Sequence, residues 1–134
     1  MAANWTRLTC FAFSLPNRPG ELARFTAQLQ QAQIDLLGLW GSSENEGTPH
    51  IACVPVAPDE FRSFMSEGGV KFEEGVAFYL AGANVPGALV NSLKLIAEAS
   101  VNLQTIECVG AGDKFGCFIW ADEADWPVLE RTLT

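Results

Sequence analysis

Asn17-Arg18-Pro19-Gly20-Glu21-Leu22 returns 67 positions later as Asn84-Val85-Pro86-Gly87-Ala88-Leu89. The same displacement superimposes the surrounding chain without a gap. Phe11 falls on Phe78, Ala32 on Ala99, Leu36 on Leu103 and Ala57 on Ala124. Similar residues extend the match: Leu29 with Ile96, Ile34-Asp35 with Val101-Asn102, Leu39 with Ile106, and Ile51 with Phe118. A fixed period over a whole chain marks duplication of one structural unit. The 134 residues therefore read as two copies, residues 1–70 and 71–134.

Each copy has the same plan. Leu8 to Leu15 is aromatic and apolar and stops at Pro16, which reads as a strand. After the turn at Asn17–Gly20, apolar residues recur at Leu22, Phe25, Leu29 and Ala32, the spacing of one helix face. Asp35–Ser42 and Thr48–Val56 read as strands around a turn at Ser43–Gly47. Pro58, Asp59 and Glu60 open a helix, because proline suits the first turn and acids suit its positive end. Phe61, Phe64 and Met65 form its buried stripe, and Val70–Glu73 is a candidate fourth strand. The second copy reads as strand Val76–Ala81, helix Gly87–Ala99, strands Asn102–Val109 and Lys114–Ala121, and helix Glu123–Leu133.

The order strand, helix, strand, strand, helix, strand is the split βαβ, or ferredoxin-like, topology. The expected fold class is α+β, with two ferredoxin-like βαββαβ units whose sheets are antiparallel and whose helices lie on one face. The second copy ends at Thr134 with no fourth strand of its own. That predicts a bare sheet edge, and a bare edge invites pairing. An oligomer, or a sheet continuous across both units, is the expectation.

Composition narrows the function. The chain is 49% hydrophobic and 18% charged, with a formal charge of −8. A phosphate backbone or an anionic membrane surface would be repelled, so neither is expected as a partner. No run reaches the roughly 18 apolar residues of a membrane span, and Met1–Leu8 has no signal pattern. A cytoplasmic protein is expected. Cys10, Cys53, Cys108 and Cys117 show no metal spacing and sit in or beside apolar runs, so buried free thiols are expected.

Catalysis needs a nucleophile, a base and a group that orients them. The single histidine, His50, corresponds to Cys117 in the other copy, so duplication preserves no histidine site. Catalytic serine, zinc, phosphate-loop and dinucleotide motifs are missing. No enzyme activity, cofactor or metal is expected.

The turn itself is chemically suggestive. Proline fixes φ ahead of the helix, and glycine lets the chain bend with no Cβ in the way. The unpaired N–H groups of the first helical turn then suit a carboxylate.

Asn-Arg-Pro-Gly-x-Leu between strand and helix, followed by Ile34-Asp35-Leu36, resembles the ACT domain family. The second copy lacks the arginine but keeps Asn84, Pro86, Gly87 and Leu89, and its Val101-Asn102-Leu103 is closer to the family pattern. The resemblance covers nearly the whole chain. It implies a regulatory module that binds an amino acid or related small metabolite at an interface between domains. The implied ligand-binding residues are Asn17, Arg18, Pro19, Gly20, Glu21 and Leu22 with Ile34, Asp35 and Leu36. In the second copy they are Asn84, Val85, Pro86, Gly87, Ala88 and Leu89 with Val101, Asn102 and Leu103. The amides of Gly20 to Leu22 would hold the ligand carboxylate, and Asp35 or Asn102 its ammonium. The first copy has the better loop and the second the better strand start, so an asymmetric site combining them is expected. A homodimer, and a regulated enzyme on a separate chain, are the implied partners.

Structural readings stand beside these. Pro-Gly turns also form for the fold alone, Asp35 suits a solvated strand start, and Arg18 an exposed loop. Leu22, Leu36 and Leu89 suit a core. The alternative function is a structural protein-interaction module that keeps the fold without a ligand.

Overall fold

The computed structural model describes residues 4–43 and 49–134, and no side chain of residues 42–49. The expected turn at Ser43–Gly47 therefore lies almost wholly outside the described residues. In chain order the elements are β1 (Asn4–Ser14), α1 (Glu21–Gln31), β2 (Leu36–Ser43), β3 (Pro49–Pro55), α2 (Pro58–Glu67) and β4 (Phe72–Ala83). Then come α3 (Val90–Glu98), β5 (Leu103–Ala111), β6 (Lys114–Ala121), a 3-10 turn (Glu123–Asp125) and α4 (Trp126–Leu133). The class is α+β, as the strand and helix periods predict, and the strands pair in the order β2-β3-β1-β4-β6-β5.

Two units divide these elements, and the cut does not fall after residue 70. One unit is Thr9–Gly75; the other is Val76–Thr134 together with Met1–Leu8. Of the residues read as two strands, Val70–Glu73 and Val76–Ala81, Phe72, Glu73 and the whole of Val76–Ala81 lie in one long strand, β4, that begins in the first unit and ends in the second, while Val70 and Lys71 precede it. β1 does the reverse, beginning in the second unit and ending in the first. In the strand order β1 and β4 are neighbours, and the start of β1 and the end of β4 belong to the same unit. The sequence pattern starts the first strand only at Leu8, because Asn4-Trp5-Thr6-Arg7 is too polar to look like a buried run.

The first unit has a largely aromatic core. Phe11 and Phe13 of β1 lie opposite Cys53 and Ile51 of β3, so one sheet face carries all four. Phe25 and Leu29 of α1 and Phe61 and Met65 of α2 cover that face. Phe11 and Phe61 lie 4.8 Å apart between ring centres, and Phe13 and Phe25 5.0 Å. In the second unit Phe78 and Leu80 of β4 oppose Ile119 and Cys117 of β6. Ile96 of α3 and Leu129 and Leu133 of α4 close over them, with Trp5 of β1 packed at the side. The Trp126 indole N–H donates to the Ala121 carbonyl at 3.0 Å and anchors the start of α4.

The duplication shows in the backbone as well. Gly20 and Gly87 hold positive φ, 88° and 78°, ahead of α1 and α3. Gln33 and Ser100, the next equivalent pair, are left-handed after the same helices, at 57° and 62°. There the Ile34 N–H reaches back to the Leu29 carbonyl at 2.9 Å, and the Val101 N–H to Ile96 at 3.2 Å. Such backward bonds satisfy carbonyls that a helix end leaves unpaired. Two left-handed residues without glycine at one repeat position are far more specific than the repeat of a glycine.

Candidate functional site

In the first unit the turn between β1 and α1 is closed by the Arg18 N–H donating to the Pro16 carbonyl at 2.9 Å. Its next amide, Glu21 N–H, is directed to the Arg18 carbonyl at 3.3 Å. Of the three expected carboxylate-holding amides, Glu21 is thus already engaged. The later first-turn amides of α1 have no acceptor within the helix. A Cβ on Gly20 would meet nothing within 4 Å, so the surface beside it is open.

The side chains around this turn form a charged trio. Glu21 pairs with Arg18 at 2.9 Å and with Arg24 at 3.5 Å. Its carboxylate is 15% exposed, against 65% and 68% for the two arginines. Glu21 therefore rests against the positive end of α1, and the trio leaves one net positive charge facing solvent. An anion arriving here would share or displace the Glu21 contact. Leu22, expected in the core, is 43% exposed because it falls on the outer side of the first turn, away from buried Phe25 and Leu29.

The second turn is built differently. The positions of Arg18, Glu21 and Arg24 hold Val85, Ala88 and Asn91, so the charges are gone. α3 starts at Val90, two residues later than its counterpart, after a turn in which Ala88 N–H donates to Val85 at 3.1 Å and Val90 N–H to Gly87 at 3.0 Å. Asn84 ties this turn to the β5–β6 hairpin. Its backbone N–H donates to the Asp113 carbonyl at 2.9 Å and its side-chain amide to Gly112 at 3.2 Å. The hairpin backbone comes so close that a Cβ on Gly110 would sit 2.7 Å from the Asn84 side-chain nitrogen. Val85 is 56% exposed, so the surface beside Pro86 and Gly87 is apolar.

The strand starts lie elsewhere in each unit. Ile34, Asp35 and Leu36 follow the C-terminal end of α1, whereas Asn17–Leu22 precede its N-terminal end. Eleven helical residues separate them by about 16 Å. Within one unit, no ligand of amino-acid size spans both sets, and the same holds for Asn84–Leu89 and Val101–Leu103. Asp35 is exposed, and one of its carboxylate oxygens accepts the Leu36 N–H at 2.9 Å. Asn102 is exposed, Val101 is buried in the core, and Leu36, Leu89 and Leu103 are half-buried against their cores.

Two depressions in the first unit were not foreseen. A cleft of about 510 Å³ lies between the end of α1 and α2, with Ile34 on one wall and Asp59, Glu60, Ser63 and Glu67 on the other. Its acids, and the negative end of α1, favour a cation or ammonium group. Their spacing along α2, opposite the Phe61 and Met65 stripe, was readable as a solvated helix face, but not as a wall. A second groove of about 630 Å³ carries Ser14, His50, Lys71 and Glu73. Among the described residues, no group of three metal-binding side chains occurs, and no buried side-chain polar atom lacks a partner.

The thiols of Cys10, Cys53 and Cys117 are buried, but Cys108 is exposed, because β5 ends the strand order and nothing among the described residues covers it. Burial pushes the Cys53 thiol up to about 12, with the Cys10 thiol adding to it. Burial also pushes Cys117 up to about 12, helped by its hydrogen bond to Cys108.

No protein-family model and no curated protein matches this sequence. Solved structures do. Protein BT0572 from Bacteroides thetaiotaomicron aligns with a TM-score of 0.83 at 19% identity, over 98% of this chain and 89% of that one. The regulatory subunit of aspartate kinase from Thermus thermophilus, in its ligand-free form, aligns at 0.63 and 12% identity, over 99% and 95%. The chain has the fold of that regulatory subunit. Escherichia coli aspartokinase III, solved in complex with lysine and aspartate, aligns at 0.55 and 17% identity, over 96% of this chain and 31% of the kinase. At such identities the likeness is one of fold.

Proposed function

We propose that the protein is a non-catalytic regulatory module that binds a small amino acid or a related metabolite, and that it does so at the turn Asn17–Leu22. The observation that carries this reading is the charged trio of Arg18, Glu21 and Arg24 at the mouth of α1, beside an open Gly20. A ligand carboxylate gains there both the helix dipole and two arginines. The likeness in fold to an aspartate kinase regulatory subunit over almost the full length of both chains supports a regulatory role. So does the resemblance of both turns to the ACT signature. In this reading the regulated enzyme is a separate chain, and the protein works in the cytoplasm. No helix among the described residues is long and apolar enough to cross a membrane.

Self-association belongs to the same proposal. β5 ends the strand order and is exposed from Gln104 to Ala111, with Ile106 at 43% and Val109 at 68%. An uncovered edge strand is a template for another chain, here a second copy in a homodimer. The same edge favours the second reading, an interaction module without a ligand.

Thermal melting with each of the twenty amino acids at millimolar concentration separates the two. A ligand at one hundred times its Kd stabilises by about 2.7 kcal/mol. One or a few amino acids are expected to raise the midpoint, and Gly20→Val is expected to abolish that rise while Gly87→Val leaves it. No shift with any amino acid would sink the sensor reading and leave the interaction module.

A further inference from the structure

Cys108 and Cys117 face each other directly across the β5–β6 ladder. Directly opposed residues of an antiparallel pair have Cα atoms about 4.5 or 5.5 Å apart. Both separations lie inside the roughly 4.4–6.8 Å that a disulfide requires. As register partners, the two side chains share one sheet face. They differ in access: Cys108 is exposed and Cys117 is buried. The register partner of Cys53 is Phe11 rather than Cys10.

We propose that Cys108 and Cys117 form a reversible intramolecular disulfide, with Cys108 the thiol that meets a hydroperoxide and Cys117 the thiol that resolves it. In the first step the Cys108 sulfur attacks the outer peroxide oxygen. The O–O bond breaks, the leaving oxygen takes the thiol proton as water or alcohol, and Cys108 becomes a sulfenic acid. In the second step the Cys117 sulfur attacks Cys108. The S–O bond breaks, and the hydroxyl leaves as water with the Cys117 proton. Two thiols have given one electron each, and the peroxide has taken both. The bond closes a loop around Gly112 and Asp113, whose carbonyls accept from Asn84. Oxidation thus fastens the hairpin that holds the second turn. This inference does not depend on amino-acid binding.

The test treats the reduced full chain with equimolar hydrogen peroxide, blocks remaining thiols and maps peptides without reductant. The expected product is a single chain lighter by two hydrogens, crosslinked between Cys108 and Cys117 and restored by dithiothreitol. Cys108→Ser, at an exposed position that tolerates the change, is expected to give no crosslink. Cys117→Ser is expected to stop at a Cys108 sulfenic acid that dimedone captures; if that variant does not fold, Cys108→Ser decides alone. A crosslink between Cys10 and Cys53, a crosslink only between chains, or oxidation of Cys108 to sulfinic acid with no crosslink would overturn the proposal.

Discussion

Gly20 and Gly87 share a left-handed backbone, yet their neighbours serve different ends. Around Gly20 the side chains are charged, paired to one another and turned outward. Around Gly87 they are apolar, and Asn84 binds the turn to the next hairpin. Duplication has kept the path of the chain, which the helix entry requires, and has let the chemistry diverge. A backbone motif alone therefore does not mark two equal ligand sites. The charges distinguish the turn suited to an anion from the one suited to holding the fold.

The largest test of the contrast between copies lies in their cores. Phe61 is fully buried and has ring neighbours Phe11, Phe13 and Phe64 within 6.4 Å. Leu129 fills the corresponding role in the second unit, also fully buried. Phe61→Ala is expected to cost about 3–5 kcal/mol, and Leu129→Ala about 2–5 kcal/mol. Urea unfolding checks both. Because β1 and β4 each supply residues to both units, either change is expected to lower one shared transition. Two separated transitions in either variant would show that the units are energetically independent.

Much of this contrast was legible in the sequence, and the reason is specific. The helix α1 was readable from Phe25 and Leu29, because its apolar period is regular and Gly20 marks its start. α2 was readable from Pro58 and its acids. The shared strands were not. β4 carries Glu73, Glu74 and Gly75 in its first half, a polar interruption that looks like a linker when taken as local sequence. Asn4–Arg7 shows no strand pattern for the same reason, since an amphipathic strand end carries only one or two inward residues, here Trp5. Pairing between segments some seventy residues apart leaves no local trace. At the candidate site the arginines were visible as residues, but their common partner Glu21 needed helix geometry. Asn84 looked like a ligand contact because its structural partner, the Gly112 carbonyl, is backbone and invisible to side-chain patterns.

Asn84 supplies the intermediate test. Asn84→Ala removes a side-chain donor to Gly112 and leaves the hairpin beside Gly110 unsupported. A loss of about 0.5–1.5 kcal/mol is expected from one hydrogen bond of this kind. Chemical denaturation measures it, with amide exchange at Asp113 and Lys114 reporting whether the hairpin loosens. A neutral result would mean that the second turn is not pinned, and the two turns would then differ in charge alone.

The smallest expected effect concerns how each unit fastens a helix to a shared strand. In the first unit, Arg62 of α2 makes two contacts to Glu74 of β4, at 2.7 and 2.8 Å, and one to Asp59 at 2.7 Å. In the second, Arg7 of β1 makes one contact to Glu130 of α4 at 2.8 Å. Each arginine also lies over a ring, Phe11 at 5.8 Å and Trp126 at 5.3 Å. The Arg62 hydrogen bonds hold Glu74 below its ordinary carboxylate value. A carboxylate depressed in the folded state stabilises fully above its unfolded pKa, and that share is lost as pH falls through its folded one. Glu74 is 38% exposed, so solvent screens the pair and the whole effect is at most about 1 kcal/mol. Glu74→Gln is therefore expected to cost a little at neutral pH and nothing once the native carboxylate is protonated, so the two stability curves converge in acid. Glu130→Gln, which breaks a single contact, is expected to cost less at neutral pH. Urea titrations at neutral and acid pH decide it. Parallel curves for wild type and Glu74→Gln would mean that the Arg62 fork holds its geometry without contributing charge-dependent stability, and the two fastenings would then be equivalent.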